Sequence, residues 1–521
     1  MEATTPLESF INHKADTGMQ CGNYSIDLPE LQEGENYRFH FDATACVGCH
    51  CCEVACNEQN NNPADIKWRR VGEMEGGIFP EVSQLFNSMS CNHCIDPACL
   101  IGCPTNSYIK IEETGIVIHD DPSCIGCQYC TWNCPYGVPT FHEERKIVTK
   151  CHMCHERLDE GQSPACVQAC PSGAIEIEVF RPDEWLKEDI DAQGNMPHLV
   201  DARVTNATTR YTLPENMPEM TEADAHHLKP SHSELPLVFM TVLTQISLGA
   251  FFALFLGDIL SISGKTSPNW IMALLVMLPA ALGLPLSALH LGRPGMAMMA
   301  MKNIKTSWLS REALALGLFT GLMSLNIMLY FFDISAYFRV FFEAITLAIG
   351  VYGIYAQGMI YQIVARPSWN RKTTLFKFFG VSYIGMFLVA FALLAQGASE
   401  SASSLMSLAL MVALAQAFFT YEDKRNLSES SEYKAQLEKT KELYKTFFEQ
   451  HQKVRIITFI IGAILLPLLV TVMVSSAASA WLLALAIIMM SISEFTDRFL
   501  FYATVVPLNM AGNFFAGKQR H

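Results

Sequence analysis

No cysteine follows Cys170, and all 18 cysteines of this 521-residue chain lie between positions 21 and 170. Histidine is almost missing from the long apolar stretches of the second half, where only His290 falls inside one. A haem clamped by two histidines of this chain is therefore not expected. Basic residues are scarce in the first half, where residues 1–234 hold 37 acids against 15 bases. That balance offers no basic patch to nucleic acid, and no nucleic-acid partner is expected. No twin-arginine or other export signal precedes Cys46. An oxidising compartment, and with it a disulfide framework, is not expected.

Sixteen of the cysteines form four quartets. They are Cys46, Cys49, Cys52 and Cys56; Cys91, Cys94, Cys99 and Cys103; Cys124, Cys127, Cys130 and Cys134; and Cys151, Cys154, Cys166 and Cys170. A proline follows the last cysteine of the second, third and fourth quartets, where it stops a helix from continuing. Structural zinc uses two C-x-x-C pairs, whereas the repeated triplet C-x-x-C-x-x-C at 46–52 and 124–130 suits an iron–sulfur cubane. The short backbone between the cysteines turns its amides inward, toward the cluster sulfurs.

In two-cluster ferredoxins the fourth cysteine of each motif ligates the other motif's cluster. Carried over, that crossing gives one cluster to Cys91, Cys94, Cys99 and Cys134, and another to Cys124, Cys127, Cys130 and Cys103. Quartets one and four then exchange Cys56 and Cys170. With cysteine at all sixteen positions, four [4Fe–4S] clusters and no [3Fe–4S] are expected. Cys21 and Cys51 are left over, and Cys51 is expected to be a buried spectator thiol.

The expected soluble half is α+β and ferredoxin-like, two tandem two-cluster units over 46–180, after an arm at 1–45 and before a linker or wrapping extension at 181–234. An all-α transmembrane bundle over 235–505 and a tail over 506–521 complete the chain. Its eight candidate spans are at 236–261, 269–290, 308–332, 337–362, 375–396, 402–420, 456–474 and 477–500. A charged surface helix is expected in 421–453. On the cluster side the loops, helix ends and tail hold nineteen Lys and Arg, against Lys265 and Arg339 on the far side. The cluster domain is therefore expected in the cytoplasm, on a multi-pass protein of the inner membrane surrounded by lipid.

Ionisable groups inside spans are costly and mark function. His290 and Arg293 close the second span, Arg311 and Glu312 open the third, and Glu494, Asp497 and Arg498 lie near the end of the eighth. All fall on the cluster side, which suits a quinone as the lipid-soluble electron carrier, menaquinone or ubiquinone. Quinol oxidation releases two protons with two electrons, so His290 is the expected acceptor and Glu312 the relay. Arg293 or Arg498 would balance charge there. Asp258 and Glu343 are expected at the far interface.

The segments "CNHCIDPACLIGCP" and "CIGCQYCTWNCPYG" resemble the four-cluster subunit of the dimethyl sulfoxide reductase superfamily. "HLGRPGMAMMAMKNIKTSWLSRE" at 290–312 and "SEFTDRFLFY" at 493–502 resemble its quinol-binding anchor. These are usually separate chains, so the sequence looks like a fusion of the two. The resemblance implies that His290 and Glu312 belong to the quinol site. It puts Cys127 where the nitrate reductase branch has Trp, in keeping with four [4Fe–4S] clusters. It also implies that quartets two and three face the membrane, and that one and four face a separate molybdopterin catalytic subunit. Nothing in the chain resembles that subunit's pterin-binding domains. The stretch "CNEQNNNPADIKWRRVGEMEGG" looks similar to the cluster subunit of the cytoplasm-facing sulfite dehydrogenase. Sulfite oxidation with electrons passed to quinone is the expected activity of the complex. The alternatives are the quinol-oxidising arm of an S-oxide or nitrate-type reductase, and a redox-driven ion pump.

Overall fold

The computed structural model describes residues 28–223, 227–261, 268–427, 432–472 and 477–510. Cys21, Lys265, Lys518, Arg520 and most of the 1–45 arm lie outside the described residues.

The soluble half is built from short strands that serve as walls between cysteine loops. Strand β1 (Asn36–Asp42) comes first, then the hairpin β2 (Arg70–Ile78) and β3 (Glu81–Met89). Two three-residue hairpins follow, β4 (Tyr108–Lys110) with β5 (Val117–His119) and β6 (Thr140–His142) with β7 (Ile147–Thr149). The remaining strands are β8 (Ile175–Phe180), β9 (Arg210–Thr212) and β10 (Met220–Glu222). β1 pairs antiparallel with β8 and parallel with β9, while β10 joins β2 antiparallel. The 181–234 segment is thus a wrapping extension that adds a strand to each of two sheets. It also buries Trp185, whose indole N–H donates to the Ala207 carbonyl at 2.9 Å.

Among the described residues, eight helices are long and apolar enough to cross a membrane: Leu235–Ser261, Trp270–His290, Trp308–Phe331, Ala336–Ile360, Lys372–Ala395, Ser399–Arg425, Glu449–Val472 and Ala478–Ala503. Their outer faces expose large side chains, Trp481 at 80% and Phe341 at 65%, which suits a hydrocarbon surround. The first span is the hub, in contact with the second, fourth, fifth and eighth. Small residues let it approach the fifth: a Cβ on Gly249 would lie 1.8 Å from the Ser382 carbonyl, and one on Gly385 1.9 Å from the Ile246 carbonyl. The charged insertion forms a helix at Lys434–Thr446, and the sixth span runs on to Arg425.

The segments flanking the bundle in sequence are tied to its cluster side, where Leu508 and Met510 pack into the soluble core. The Ser231 hydroxyl donates to the Val505 carbonyl at 2.7 Å, and the Leu508 amide to the Ala365 carbonyl at 2.9 Å.

Asp258 and Glu343 are not interfacial. Both are fully buried, because Arg339 at the start of the fourth span turns inward and pairs with Asp258, Nε to Oδ2 at 2.8 Å and Nη2 to Oδ1 at 2.9 Å. The Tyr330 hydroxyl donates to Asp258 at 2.9 Å and Asn326 to Glu343 at 2.9 Å. Removing one partner of a buried ion pair costs about 3–5 kcal/mol, whereas replacing both with apolar groups can be neutral. Arg339→Met is therefore expected to lower the thermal unfolding midpoint of the detergent-solubilised protein, and Asp258→Leu in the same polypeptide to restore much of it. A single variant that melts with the wild type would remove the pair from the stability of the bundle.

Candidate redox and quinone site

The first C-x-x-C of each quartet turns in the same way. The residue before its second cysteine is left-handed, with φ of 65° at Gly48, 42° at His93, 67° at Gly126 and 58° at Met153. Two of the four are glycine, which adopts that conformation freely. The turn aims the amide back at the first sulfur. The N–H groups of His93, Gly126 and Met153 donate to Cys91, Cys124 and Cys151 Sγ at 3.4 Å each, and Gly48 does the same for Cys46. Such donors stabilise a sulfur that carries negative charge.

The sixteen cysteines converge in four sets. Cys46, Cys49, Cys52 and Cys170 line one void. Cys56, Cys151, Cys154 and Cys166 line a second, and Cys91, Cys94, Cys99 and Cys134 a third. Cys103, Cys124, Cys127 and Cys130 are one another's charged neighbours. None of the described cysteines is in a disulfide. Burial pushes the Cys52, Cys127 and Cys154 thiols up to about 12, so these sulfurs keep their protons unless a metal takes their place. The donor sets fit iron–sulfur clusters. Cys51 departs from the expected buried spectator, because it is exposed.

The fourth set rests on the membrane half. Gly292 N–H donates to the Gly126 carbonyl at 3.1 Å and Arg293 N–H to that of Ile125 at 3.0 Å. The two backbones touch, since a Cβ on Gly126 would meet Gly292 Cα at 2.9 Å. Asn303 Nδ2 donates to the Cys103 carbonyl at 2.9 Å, and the Ser307 hydroxyl to that of Gly102 at 2.8 Å. Arg293, expected beside the quinone, instead donates to the carbonyls of Asp121 at 3.0 Å and Cys124 at 3.3 Å. Its guanidinium is spent on the cluster loop.

His290 lies at this seam. Its Nε2 is 3.2 Å from the Cys127 carbonyl, and its Nδ1 is 2.8 Å from Glu234 Oε2. Burial alone would raise the Glu234 carboxyl, but hydrogen bonds from His232 and His290 outweigh it and hold the group at about 2. Stability from that charged carboxylate is present above its ordinary value of 4.5 and is lost only as pH falls toward 2.

Trp132, between Cys130 and Cys134, packs its ring 5.9 Å from His290, 6.2 Å from Tyr361 and 6.4 Å from Tyr502. The two tyrosine hydroxyls are 2.5 Å apart. Both tyrosines neighbour Glu312 and Arg498. Arg498 stacks 3.7 Å over Phe378 and donates to Gln245 at 3.1 Å, and Gln245 donates to Gln357 at 2.7 Å. Glu312 Oε1 and Arg498 Nη1 are buried and, among the described residues, have no hydrogen-bond partner. One acceptor and one donor are thus left unmatched in this part of the bundle.

His290, Glu312 and Arg498 therefore gather at one place, and Arg293 stands apart from them. Of the other ionisable candidates, Asp497 pairs with Arg455 at 2.8 Å and Glu494 accepts from Tyr383 at 3.0 Å. Arg311 donates to the carbonyls of Ile304 at 2.9 Å and Lys305 at 2.6 Å. Sequence reasoning missed Glu234, Trp132, Gln245, Gln357, Tyr361 and Tyr502. Trp132 and Tyr502 stand within the two recognisable motifs, and the two glutamines are uncharged polar residues within mostly apolar spans.

Residues 82–179 match the 4Fe-4S dicluster domain family, and residues 229–504 match the DMSO reductase anchor subunit (DmsC) family. The sequence is 38% identical over 192 residues to the iron–sulfur subunit of the anaerobic dimethyl sulfoxide reductase of Escherichia coli, which covers 34% of this chain and 92% of that protein. It is 34% identical over 175 residues to a sulfite dehydrogenase subunit of Allochromatium vinosum, covering 29% of this chain and 73% of the relative. It is 37% identical over 191 residues to the nitrate-inducible formate dehydrogenase iron–sulfur subunit of E. coli, covering 34% and 62%. With the anchor match spanning more than half of its length, this protein belongs to the DMSO reductase anchor subunit family, and it carries the electron-transfer iron–sulfur subunit of such complexes on the same polypeptide.

Proposed function

We propose that this protein conducts electrons between a separate molybdopterin catalytic subunit and the membrane quinone pool through four [4Fe–4S] clusters. The observation that carries the reading is the seam at His290, where one imidazole touches both the Cys127 carbonyl and Glu234. The clusters would be held by the four converging cysteine sets, and bound there they supply one-electron chemistry. The chain's own residues do the rest. Trp132, Tyr361 and Tyr502 enclose the approach from the membrane. Arg498 offers a hydrogen bond to a quinone oxygen. Glu312 and the His290–Glu234 pair exchange protons with the quinone oxygens, giving two as quinone is reduced and taking two if quinol is oxidised.

The cluster domain faces the cytoplasm in this proposal, a reading supported by the bias of Lys and Arg to its side. Sulfite oxidation by the partner, with electrons delivered to quinone, is supported by the likeness to the sulfite dehydrogenase subunit of A. vinosum. The opposite flow, from quinol to an S-oxide, is supported by the likeness to the dimethyl sulfoxide reductase of E. coli.

Anaerobic purification with the partner tests both levels. About sixteen iron atoms per polypeptide are expected, four for each cubane, together with broad visible absorption bleached by dithionite. Sulfite is expected to reduce a quinone analogue through the complex. Far less iron would overturn the four-cluster reading. Activity with dimethyl sulfoxide and quinol, but none with sulfite, would overturn the sulfite reading alone.

A further inference from the structure

Arg69 is 2% exposed, and among the described residues no carboxylate pairs with it. Its Nη1 donates to the Ser88 carbonyl at 3.0 Å and hydroxyl at 3.2 Å, and its Nη2 to the Ser90 hydroxyl at 2.9 Å. The guanidinium also sits 4.7 Å from the Phe39 ring centroid. All of these partners are neutral, and among the described residues no nitrogen or oxygen accepts from Nε. A guanidinium is always charged, and a buried charge without a counter-charge costs several kcal/mol. The groups around it that would carry negative charge once they bind iron are sulfurs, those of Cys166, Cys52, Cys151 and Cys56, and Cys166 is hydrogen-bonded to it. Cys52 belongs to the void shared with Cys170, and the other three line the next void, which Arg69 itself helps to wall. One cation therefore stands between two adjacent cysteine sets.

We propose that Arg69 is the shared counter-charge of the two clusters farthest from the membrane seam, and that it raises the reduction potential of both. The inference rests on the four-cluster reading. Reduction adds one electron to a cluster and no proton, so each cluster gains one negative charge. A fixed positive charge beside it stabilises the reduced form more than the oxidised form. The Arg69 charge cannot be titrated away, and Ser88 and Ser90 hold its geometry. Both clusters are thereby kept reducible inside an acidic domain whose overall charge opposes electron entry. Lys150 stands in the comparable place one step along, 3.8 Å from Cys91 Sγ and 2.8 Å from the Cys151 carbonyl.

The test is a redox titration of the anaerobically purified complex, followed by electron paramagnetic resonance. Arg69→Met and Arg69→Gln remove the charge, and Gln keeps donors for Ser88 and Ser90. Arg69→Lys keeps the charge. In both neutral variants two of the four midpoints are expected to fall, each by at least a tenfold change in the reduction equilibrium, 59 mV for one electron. The other two are expected to stay put, and Arg69→Lys to remain near wild type. Unmoved midpoints at full iron, or an equal shift of all four, overturn the inference. Loss of iron in both neutral variants with full iron in Arg69→Lys supports it, because charge is then what assembly needs. Loss in all three overturns it. Iron missing from the wild type refutes the four-cluster reading itself, a result distinct from any of these.

Discussion

Cys103→Ser is expected to remove the cluster nearest the membrane, although Cys103 belongs by position to the second quartet. The sets explain why. Cys103 is a charged neighbour of Cys127 and Cys130, while Cys134 lines the void of Cys91, Cys94 and Cys99. Cys103→Ser and Cys124→Ser should therefore delete the same paramagnetic signal. Cys134→Ser and Cys91→Ser should delete a different one. Each variant should lose up to about four iron atoms. Reduction of quinone by the partner's substrate should fall to background in the Cys103 variant, because this set lies against the seam where His290 meets Cys127. Dithionite should still bleach the remaining clusters. If Cys103→Ser instead deleted the signal that Cys91→Ser deletes, the crossing would be wrong and each quartet would hold its own cluster.

Spacing made the four quartets legible, because cysteine is rare and its local geometry is stiff, whereas the crossing was an expectation carried over from two-cluster ferredoxins. The spans were legible for a similar reason: about twenty apolar residues leave few alternatives. The second was expected at 269–290 and runs Trp270–His290. The sixth was expected to stop at 420 and continues to Arg425, because Asp423 is buried against Arg371 and Lys377 and the charged turn stays folded. Charge in a span signals its end only when no partner waits for it. Asp258 and Glu343 misled in the same way, since hydropathy does not show that Arg339 turns inward to neutralise one of them. His290 stood out as the lone histidine of the spans. Its partner Glu234 did not, because it ends a polar stretch that holds many acids. Gln245 and Gln357 carry no charge, and only packing reveals that they share the centre of the bundle.

His290→Ala is expected to cut quinone turnover by about 10²–10⁴-fold, the range for a positioned acid–base group. The imidazole is fixed from both sides, by Glu234 at 2.8 Å and by the Cys127 carbonyl at 3.2 Å. Two roles are compatible with that position. A quinol hydroxyl can replace the carbonyl as partner of Nε2, which makes His290 part of the quinone site. Alternatively the ring only braces the cluster loop. The readouts separate them. A quinone role leaves full iron, dithionite bleaching and the midpoint of the nearest cluster unchanged while turnover collapses. A bracing role moves that midpoint, and turnover falls with it. Glu234→Gln discriminates further, because it frees the ring without removing it. Turnover should then fall less than in His290→Ala, with the cluster midpoints again unmoved. Glu312→Gln keeps the shape and removes the relay, so it should slow turnover with little change in quinone affinity. Wild-type quinone kinetics in His290→Ala would take the residue out of the site altogether, and with it the idea that the electron path and the proton path meet at a single side chain.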